Sequence, residues 1–290
     1  MKLMTRFNLI LLLIFGTAGV VVSYLAHGFL NNSARRVVLQ QAELMMANAQ
    51  AVREYTSSNI EPLLRQGEFH PERVPNFGSI TTFKILKKHY PEYVYRETAL
   101  NPRNPEHRPE DWEAEVIQWL RDHPGTAEYS NERSSATGPV LFLARPIKME
   151  IECMECHSTP EAAQASLVKQ YGPVNGFGWD RGDSIVGAQI VTVPMTVPVQ
   201  IANQAYRGLL IYLVAMLVVT MVVLDASVYF FVIRPLEVVS HSANRVSKGE
   251  KNVPPLHVKG KDEIAKVQAS FNRMQTSLAK ALRMLDSGPN

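Results

Sequence analysis

The chain has 290 residues, a formal net charge of +3 and 46% hydrophobic residues. So small a net charge gives no indication of nucleic-acid binding, and we expect no nucleic-acid partner. Two long apolar blocks stand out from an otherwise polar sequence, which indicates a membrane protein with polar domains rather than a wholly soluble one.

The first apolar block covers residues 7–30 and includes the run from Leu9 to Phe15. Its length is near the ~20 residues needed to span a bilayer. A cleaved secretory signal is the alternative, but the block exceeds the usual apolar core of a signal and lacks a clear small-x-small site before a polar start. We therefore predict an uncleaved membrane helix over residues 1–30.

The polar segment at 31–207 is long enough for one globular domain. Residues 31–64 carry apolar side chains at helical spacing and end near Pro62, which predicts a long helix that continues from the membrane. A loop-rich region marked by prolines follows: Pro71, Pro75, Pro91, Pro102, Pro105 and Pro109.

Further along this segment, residues 93–98 predict a short strand and residues 111–120 an amphipathic helix. Two more strands are predicted at 139–149 and 184–193, and a glycine-rich turn at 176–183 precedes the last of them. These patterns predict a small α+β domain of the sensor type.

No catalytic constellation is visible in the segment. Ser134 and Ser135 fall in a predicted polar loop and not in a nucleophile elbow. The scattered carboxylates fit a solvated surface. We predict that the chain is not an enzyme.

The stretch Cys153-Met154-Glu155-Cys156-His157 is a C-x-x-C-H box, typical of covalent c-type haem attachment. It predicts one haem c, with a thioether from each cysteine and His157 as the proximal iron ligand. The alternatives are a thioredoxin-like redox pair and half of a zinc site. A zinc site needs a second Cys/His pair, which the sequence lacks, and a redox pair does not need the histidine.

The distal iron ligand stays open. Met45 and Met46, on the predicted long helix, are candidate iron ligands, although filling gaps in a core is the simpler role for a methionine. Water or an empty position also fits. The other candidates are Met149, Met195, His70, His89, His107 and His123.

Three arginines are candidates for pairing with haem propionates: Arg53, Arg96 and Arg145. Arg145 is favoured because it lies eight residues before Cys153 on a predicted strand. An ordinary surface charge is the alternative.

The second apolar block predicts a membrane helix over residues 208–233 and contains Asp225. Carboxylates within a membrane are costly and tend to face a helix bundle. Asp225 is interpreted either as a hydrogen-bonded contact across a dimer, to Ser227 or Thr220, or as a residue tolerated near the inner leaflet.

Basic residues flank the outer ends of the two blocks: Lys2, Arg6, Arg234, Arg245, Lys248 and Lys251. By the positive-inside rule both termini are cytoplasmic, although Arg35 and Arg36 argue mildly against this. We predict a two-pass protein of the bacterial inner membrane, in contact with lipid. Its central domain is periplasmic, where bacteria attach c-type haem.

Residues 234–290 begin with Arg234-Pro235-Leu236, and a second apolar set with 3–4 spacing follows Asp262-Glu263-Ile264 and includes Phe271-Asn272-x-Met274. A generic juxtamembrane coiled coil is the alternative to a specific module. Over about residues 232–286 the chain resembles a HAMP domain. The resemblance implies a parallel four-helix bundle, and hence a homodimer.

The outer segment, at about 35–200, resembles extracytoplasmic c-type haem sensor domains with a PAS-like fold. The residues that carry this resemblance are Tyr95 to Pro102, Cys153 to Pro160, Tyr171-Gly172, Gly176 to Trp179 and Ile185 to Ala188. The resemblance implies coupling through HAMP to kinase or chemotaxis outputs. Some relatives use a cysteine thiolate as distal ligand, but this chain has no third cysteine.

These features predict a membrane-bound redox or diatomic-gas sensor that signals through HAMP. No kinase, cyclase or methyl-accepting region is visible after the last helix, so we expect the output in a separate cytoplasmic partner or in a longer receptor of which this chain is a fragment. A membrane-anchored electron-transfer cytochrome is the alternative, as is an interaction subunit that passes a conformational signal to a separate kinase or chemoreceptor. The stimulus stays open.

Overall fold

The computed structural model describes residues 3–179, 184–250 and 252–286. They form two compact units, Leu25–Arg207 and the combination of Met1–Tyr24 with Gly208–Asn290.

The helices are α1 (Leu3–Tyr55), α2 (Glu61–Leu64), α3 (Pro75–Leu86), α4 (Asp111–Asp122), α5 (Met154–His157), α6 (Ala165–Tyr171), α7 (Thr196–Val228), α8 (Arg234–Ser247) and α9 (Glu263–Asp286). The strands are β1 (Val94–Ala99), β2 (Tyr129–Ser135), β3 (Gly138–Lys148) and β4 (Ile185–Pro194). Short 3-10 helices lie at Pro71–Arg73, Pro105–His107 and Ile151–Cys153, and π-turns lie at Thr56–Ile60 and Tyr229–Ile233.

The four strands form one antiparallel sheet in the order β1-β4-β3-β2. Side chains from α1 and α3 pack on one face of it, where Val38, Met46 and Phe83 meet residues of β3 and β4. Helix α4 packs on the other face, through Ile117 and Leu120. Because successive side chains of a strand point to opposite faces, the central strands are apolar on both sides. The predicted α+β class is confirmed.

Three predicted strands and the predicted amphipathic helix are confirmed to within a few residues as β1, β3, β4 and α4. Helix α4 begins where Glu110 and Glu113 form a reciprocal capping box, with the Glu110 N–H donating to the Glu113 carboxylate at 2.8 Å. This arrangement satisfies backbone donors that a helix start leaves unpaired.

Two predictions about loops were wrong. The proline-marked region contains α3, because Pro75 stands in the first turn of that helix, where a missing N–H costs no hydrogen bond. Ser134 and Ser135 belong to β2, a polar edge strand that is held by its pairing with β3.

The predicted long helix at 31–64 is confirmed: α1 runs to Tyr55, the π-turn at Thr56–Ile60 follows without a break, and α2 ends at Leu64. Pro62 lies in the first turn of α2, two residues before that end. Of the predicted glycine-rich turn, residues 180–183 lie outside the described part of the chain.

Gly187 lies where β1 and β4 approach each other closely. A Cβ atom at this position would stand 2.1 Å from the carbonyl oxygen of Thr98. We expect Gly187→Ala to destabilise the outer domain by about 2 kcal/mol, because overpacking forces backbone shifts. Thermal unfolding of the full chain in detergent measures the effect. Gly125→Ala, where a Cβ meets nothing within 4 Å, is the control, and equal melting of the two variants would contradict the prediction.

The first part of α1 and the helix α7 are each long and apolar enough to cross a membrane, by length and composition. Asp225 of α7 accepts a hydrogen bond from the Asn8 side-chain amide of α1, with 2.9 Å between Nδ2 and Oδ2. The predicted partner Ser227 donates instead to the carbonyl of Val223. Asp225 therefore has a polar partner in the other apolar helix of its own chain.

The C-terminal module contains α8 and α9, with a connector between them that packs on α9. The Asn272 side chain accepts from the N–H of Leu256 and donates to the carbonyl of Leu256, each at 2.8 Å. The Gln275 side chain donates to the carbonyl of Val253 at 2.5 Å. The predicted pair of amphipathic helices joined by a connector is confirmed.

Candidate haem-binding site

The two cysteines and the histidine of the C-x-x-C-H box lie on one short helical segment. Cys153 ends a 3-10 helix and Cys156 and His157 belong to α5, which follows at once. Residues three apart on a helix lie on the same face, so this fold brings the two thiols to one side of the segment. Both are free and half-buried.

The His157 ring is held in one orientation. Its Nδ1 lies 2.7 Å from the carbonyl oxygen of Gly176, and its ring stacks on Trp179 with centroids 3.9 Å apart. A carbonyl can only accept, so Nδ1 carries the proton and Nε2 keeps its lone pair. This is the arrangement that metal-binding histidines use.

The site keeps this imidazole neutral. Burial is the main reason that the pKa of His157 falls to about 4; nearby Arg103 lowers it further, while the hydrogen bond to Gly176 opposes the shift. A neutral imidazole is the form that binds a metal. Burial also raises the pKa of the Cys156 thiol, with help from Glu155.

Hydrogen bonds of Asn101 link the loop after β1 to the segment that contains Gly176. The Asn101 side chain donates to the carbonyl of Phe177 at 3.0 Å and accepts from the N–H of Gly176 at 3.1 Å. Gly176 has φ 74°, and a Cβ there would stand 2.8 Å from the backbone of Arg103. Glycine is therefore required where this segment passes behind His157.

Arg103 lies beside the box without a carboxylate partner among the described residues. Its guanidinium donates to the carbonyls of Cys156 and Gly176 and lies 4.1 Å above the ring of Phe177. Its Nη1 is buried and has no hydrogen-bond partner in the described part of the chain. Burial lowers the pKa of Arg103, and the nearby Cys156 opposes the shift.

A buried charged network joins α1 to β1. Glu97 accepts from Arg53 at 2.5 Å, and from Tyr95 and Ser79 at 2.7 Å each. Burial alone would lower the pKa of Arg53, but Glu97, Tyr95 and, more weakly, Cys153 raise it. The charge of α1 at Arg53 is thus within electrostatic reach of the box.

A family model described as Tll0287-like, Tll0287, matches residues 31–194, which is more than half of the chain. The chain belongs to the Tll0287-like family. The HAMP domain model matches residues 230–280, so the Tll0287-like domain is followed by HAMP, in the predicted order of outer domain and HAMP.

One similar solved structure is titled the crystal structure of the cyanobacterial heme-protein Tll0287. It is 16% identical, covers 54% of this chain and 94% of its own, and has a TM-score of 0.44. No curated protein matches the chain.

The residues of the Tll0287-like domain fit a covalently attached haem. Attachment needs two thiols on one face of a short segment and a neutral imidazole next to them, and Cys153, Cys156 and His157 supply these. Among the described residues, no group of three or more His, Cys, Asp or Glu side chains is placed to hold a metal ion.

The C-x-x-C-H box and the residues that contact it are called the box cluster: Cys153, Cys156, His157, Gly176, Trp179 and Arg103. The described contacts of Met45, Met46 and Arg145 lie outside this cluster. Met46 is buried in the core between α1 and the sheet, and Met45 packs against the same core. The Arg145 guanidinium pairs with Glu128, with 2.7 Å between Nε and Oε1. Their assignment as distal ligands and propionate partner stays a prediction.

The other two predicted propionate partners also have carboxylate partners, Arg53 with Glu97 and Arg96 with Glu113. His107 lines a cavity of about 450 Å³ between α3 and β1, and burial lowers its pKa. None of the residues that line this cavity belongs to the box.

Sequence reasoning missed Arg103. It follows directly after the motif that ends in Asn101-Pro102, and that position was the one available signal. Its partners are backbone carbonyls, which leave no trace in the side-chain pattern.

Proposed function

We propose that this chain is a membrane-bound haem sensor that holds one haem c through Cys153 and Cys156, with His157 as the proximal iron ligand. The observation that carries the proposal is the bond from His157 Nδ1 to the Gly176 carbonyl, which leaves the Nε2 lone pair available on the same short segment that holds two free thiols. Membership of a haem-protein family and the HAMP domain support it. Nothing in the described site indicates an enzyme.

Attachment uses chemistry that the two thiols can supply. In the proposed attachment, each S–H would add across one vinyl double bond of the haem, so that one S–C bond and one C–H bond would replace the S–H bond and the π bond. No oxidant is consumed. When bound, haem supplies an iron whose oxidation state or gas ligand can change, and His157 would carry that change to the Gly176 segment.

The proposed topology has two membrane helices, at 1–30 and 208–233, with the haem domain at 31–207 in the periplasm of a bacterial inner-membrane protein. The module at 234–290 would lie in the cytoplasm with both termini. A signal then leaves the outer domain through the second membrane helix and reaches HAMP. In a homodimer, HAMP would pass it to a separate kinase or chemotaxis protein.

The surface of α9 supports a dimer. Val267, Met274 and Leu278 follow heptad-like spacing and are 45%, 55% and 43% exposed within the chain. Phe271, by contrast, is buried against its own chain. An exposed apolar stripe of this kind fits a seam between two copies.

State-dependent crosslinking tests the relay. Single cysteines at Val267, Met274 and Leu278, in a chain that keeps its box, should crosslink across the dimer in membranes, whereas cysteines at exposed Lys266 and Arg273 should crosslink poorly. We expect the seam crosslinking to change several-fold between oxidised, reduced and carbon monoxide- or nitric oxide-treated protein, since allosteric coupling is typically about 1–3 kcal/mol.

Absorption spectra of the same preparations establish whether the haem has changed state. If the seam cysteines crosslink efficiently but to the same extent in every haem state, the result supports the dimer and contradicts the sensor function. The electron-transfer cytochrome would then be the better interpretation.

A further inference from the structure

We propose that Arg103 tunes the iron through His157, by sharing the carbonyl of Gly176. This inference rests on the proposed function, because it needs a haem iron bound to His157. It makes Arg103 a positioning residue, which acts through the histidine without contacting the iron.

The geometry places both donors on one acceptor. His157 Nδ1 lies 2.7 Å from the Gly176 oxygen, and an Arg103 terminal nitrogen lies 3.3 Å from the same oxygen. That nitrogen also donates to the carbonyl of Cys156, the residue just before His157. Arg103 is therefore fixed to the backbone on both sides of the imidazole.

The position of Arg103 is set by more than these bonds. Its guanidinium carbon lies over the ring of Phe177, next in the chain to Gly176, at 4.1 Å from the ring centroid. The Asn101 side chain also hydrogen-bonds the backbone of Gly176 and Phe177. The planar fork of arginine suits such an arrangement, and an ammonium group could not reproduce it.

Two effects of Arg103 act in the same direction. A cation on the Gly176 carbonyl makes that oxygen a weaker acceptor for the Nδ1 proton, so the imidazole keeps less negative character and donates less to iron. The charge of Arg103 is also not balanced by a carboxylate among the described residues, so it favours the reduced iron, which carries one positive charge less.

The test compares Arg103→Gln with the wild-type full chain in detergent. We expect haem staining on a denaturing gel to persist, and the equilibrium constant for reduction to fall roughly tenfold, which corresponds to about 59 mV for one electron. The Fe–His stretching band, recorded just after photolysis of the carbon monoxide complex, should shift to higher frequency. A merely structural role would not move this band.

Arg133→Gln is the matched control, because the Arg133 guanidinium lies 4.2 Å from the ring centroid of Trp112, as Arg103 lies over Phe177, and Arg133 has no assigned role at the haem. It should leave both the potential and the Fe–His band unchanged. Arg103→Lys keeps the charge and loses the planar fork, so it should show a smaller shift of potential in the same direction.

The failures of the two proposals look different. If the wild-type chain carries no covalent haem, the proposed function is wrong. If the wild type holds covalent haem and Arg103→Gln has the same reduction potential and the same Fe–His band, the proposed function stands. The role proposed for Arg103 is then wrong. If Arg103→Gln does not bind haem, the test uses Arg103→Lys instead. A reduction potential and an Fe–His band equal to those of the wild type would then contradict the proposal for Arg103.

Discussion

We expect the double substitution Cys153→Ser with Cys156→Ser to abolish the haem that stays with the chain on a denaturing gel. A serine hydroxyl is far less nucleophilic than a thiol and does not form the thioether, so no covalent bond to the cofactor remains. The two cysteines of the chain are both in the box, so no other thiol can replace them. Haem staining that persists in the double variant would show that the box is not the attachment site.

His157→Ala separates covalent attachment from iron ligation. Both thiols stay in place, so we expect stained haem to persist, while the absorption spectrum changes because the iron loses its imidazole ligand. An unchanged Soret band in this variant would remove His157 from its proposed role. The far-ultraviolet circular dichroism of each variant, which reports the backbone, should match that of the wild type, since the three substituted side chains are half-buried.

The second large effect is expected at the charged network between α1 and β1. Glu97 is 3% exposed and Arg53 is 24% exposed, and Glu97 also accepts from Tyr95 and Ser79. Glu97→Ala leaves the largely buried Arg53 guanidinium and the Tyr95 hydroxyl without their carboxylate acceptor, while the Ser79 hydroxyl keeps the Asn76 carbonyl. Removing one partner of a buried ion pair typically costs about 3–5 kcal/mol, and we expect about 3 kcal/mol because Arg53 is partly exposed.

Glu132→Ala is the matched control for this effect. Glu132 also pairs with an arginine of α1, Arg35, at 3.0 Å, but both side chains are nearly half exposed. Exposed pairs contribute about 0–1 kcal/mol. Thermal unfolding of the full chain, followed by tryptophan fluorescence, should show Tm lower by roughly 6–12 °C for Glu97→Ala and nearly unchanged for Glu132→Ala. Equal losses in the two variants would contradict the assignment.

The predictions from sequence succeeded where a pattern follows directly from a physical period. The apolar blocks have the length of a bilayer span, and the second half of HAMP repeats every 3–4 residues. Strand β4 is rich in β-branched residues, and β3 contains a continuous apolar run from Val140 to Ala144. Strand β2 was not predicted, because its side chains are almost all polar and its strand conformation depends on pairing with β3. A partner strand contributes nothing to the local sequence.

In the candidate site, too, some features follow from a local sequence pattern and others depend on the fold. The box was visible because cysteine and histidine chemistry restricts the spacing of those residues. The hydrogen bonds of Arg103 and of the His157 ring go to backbone carbonyls, and no side-chain pattern in the sequence reports a backbone acceptor. Asp225 lies between these cases: its polarity marked it in an apolar helix, but its partner Asn8 is 217 residues away in the sequence. Pairing across such a distance follows from the fold and not from local spacing.

The π-turn at Tyr229–Ile233 has a consequence for the helix phase of the C-terminal unit. A π-turn holds one residue more than an α-turn, and each residue of an α-helix turns the chain by about 100° and advances it by about 1.5 Å. The apolar face of α8 is therefore offset by about 100° from the face that an unbroken α7 would present. A change that converted this turn to α-helix would reach HAMP mainly as rotation about the helix axis, with only a small displacement along it.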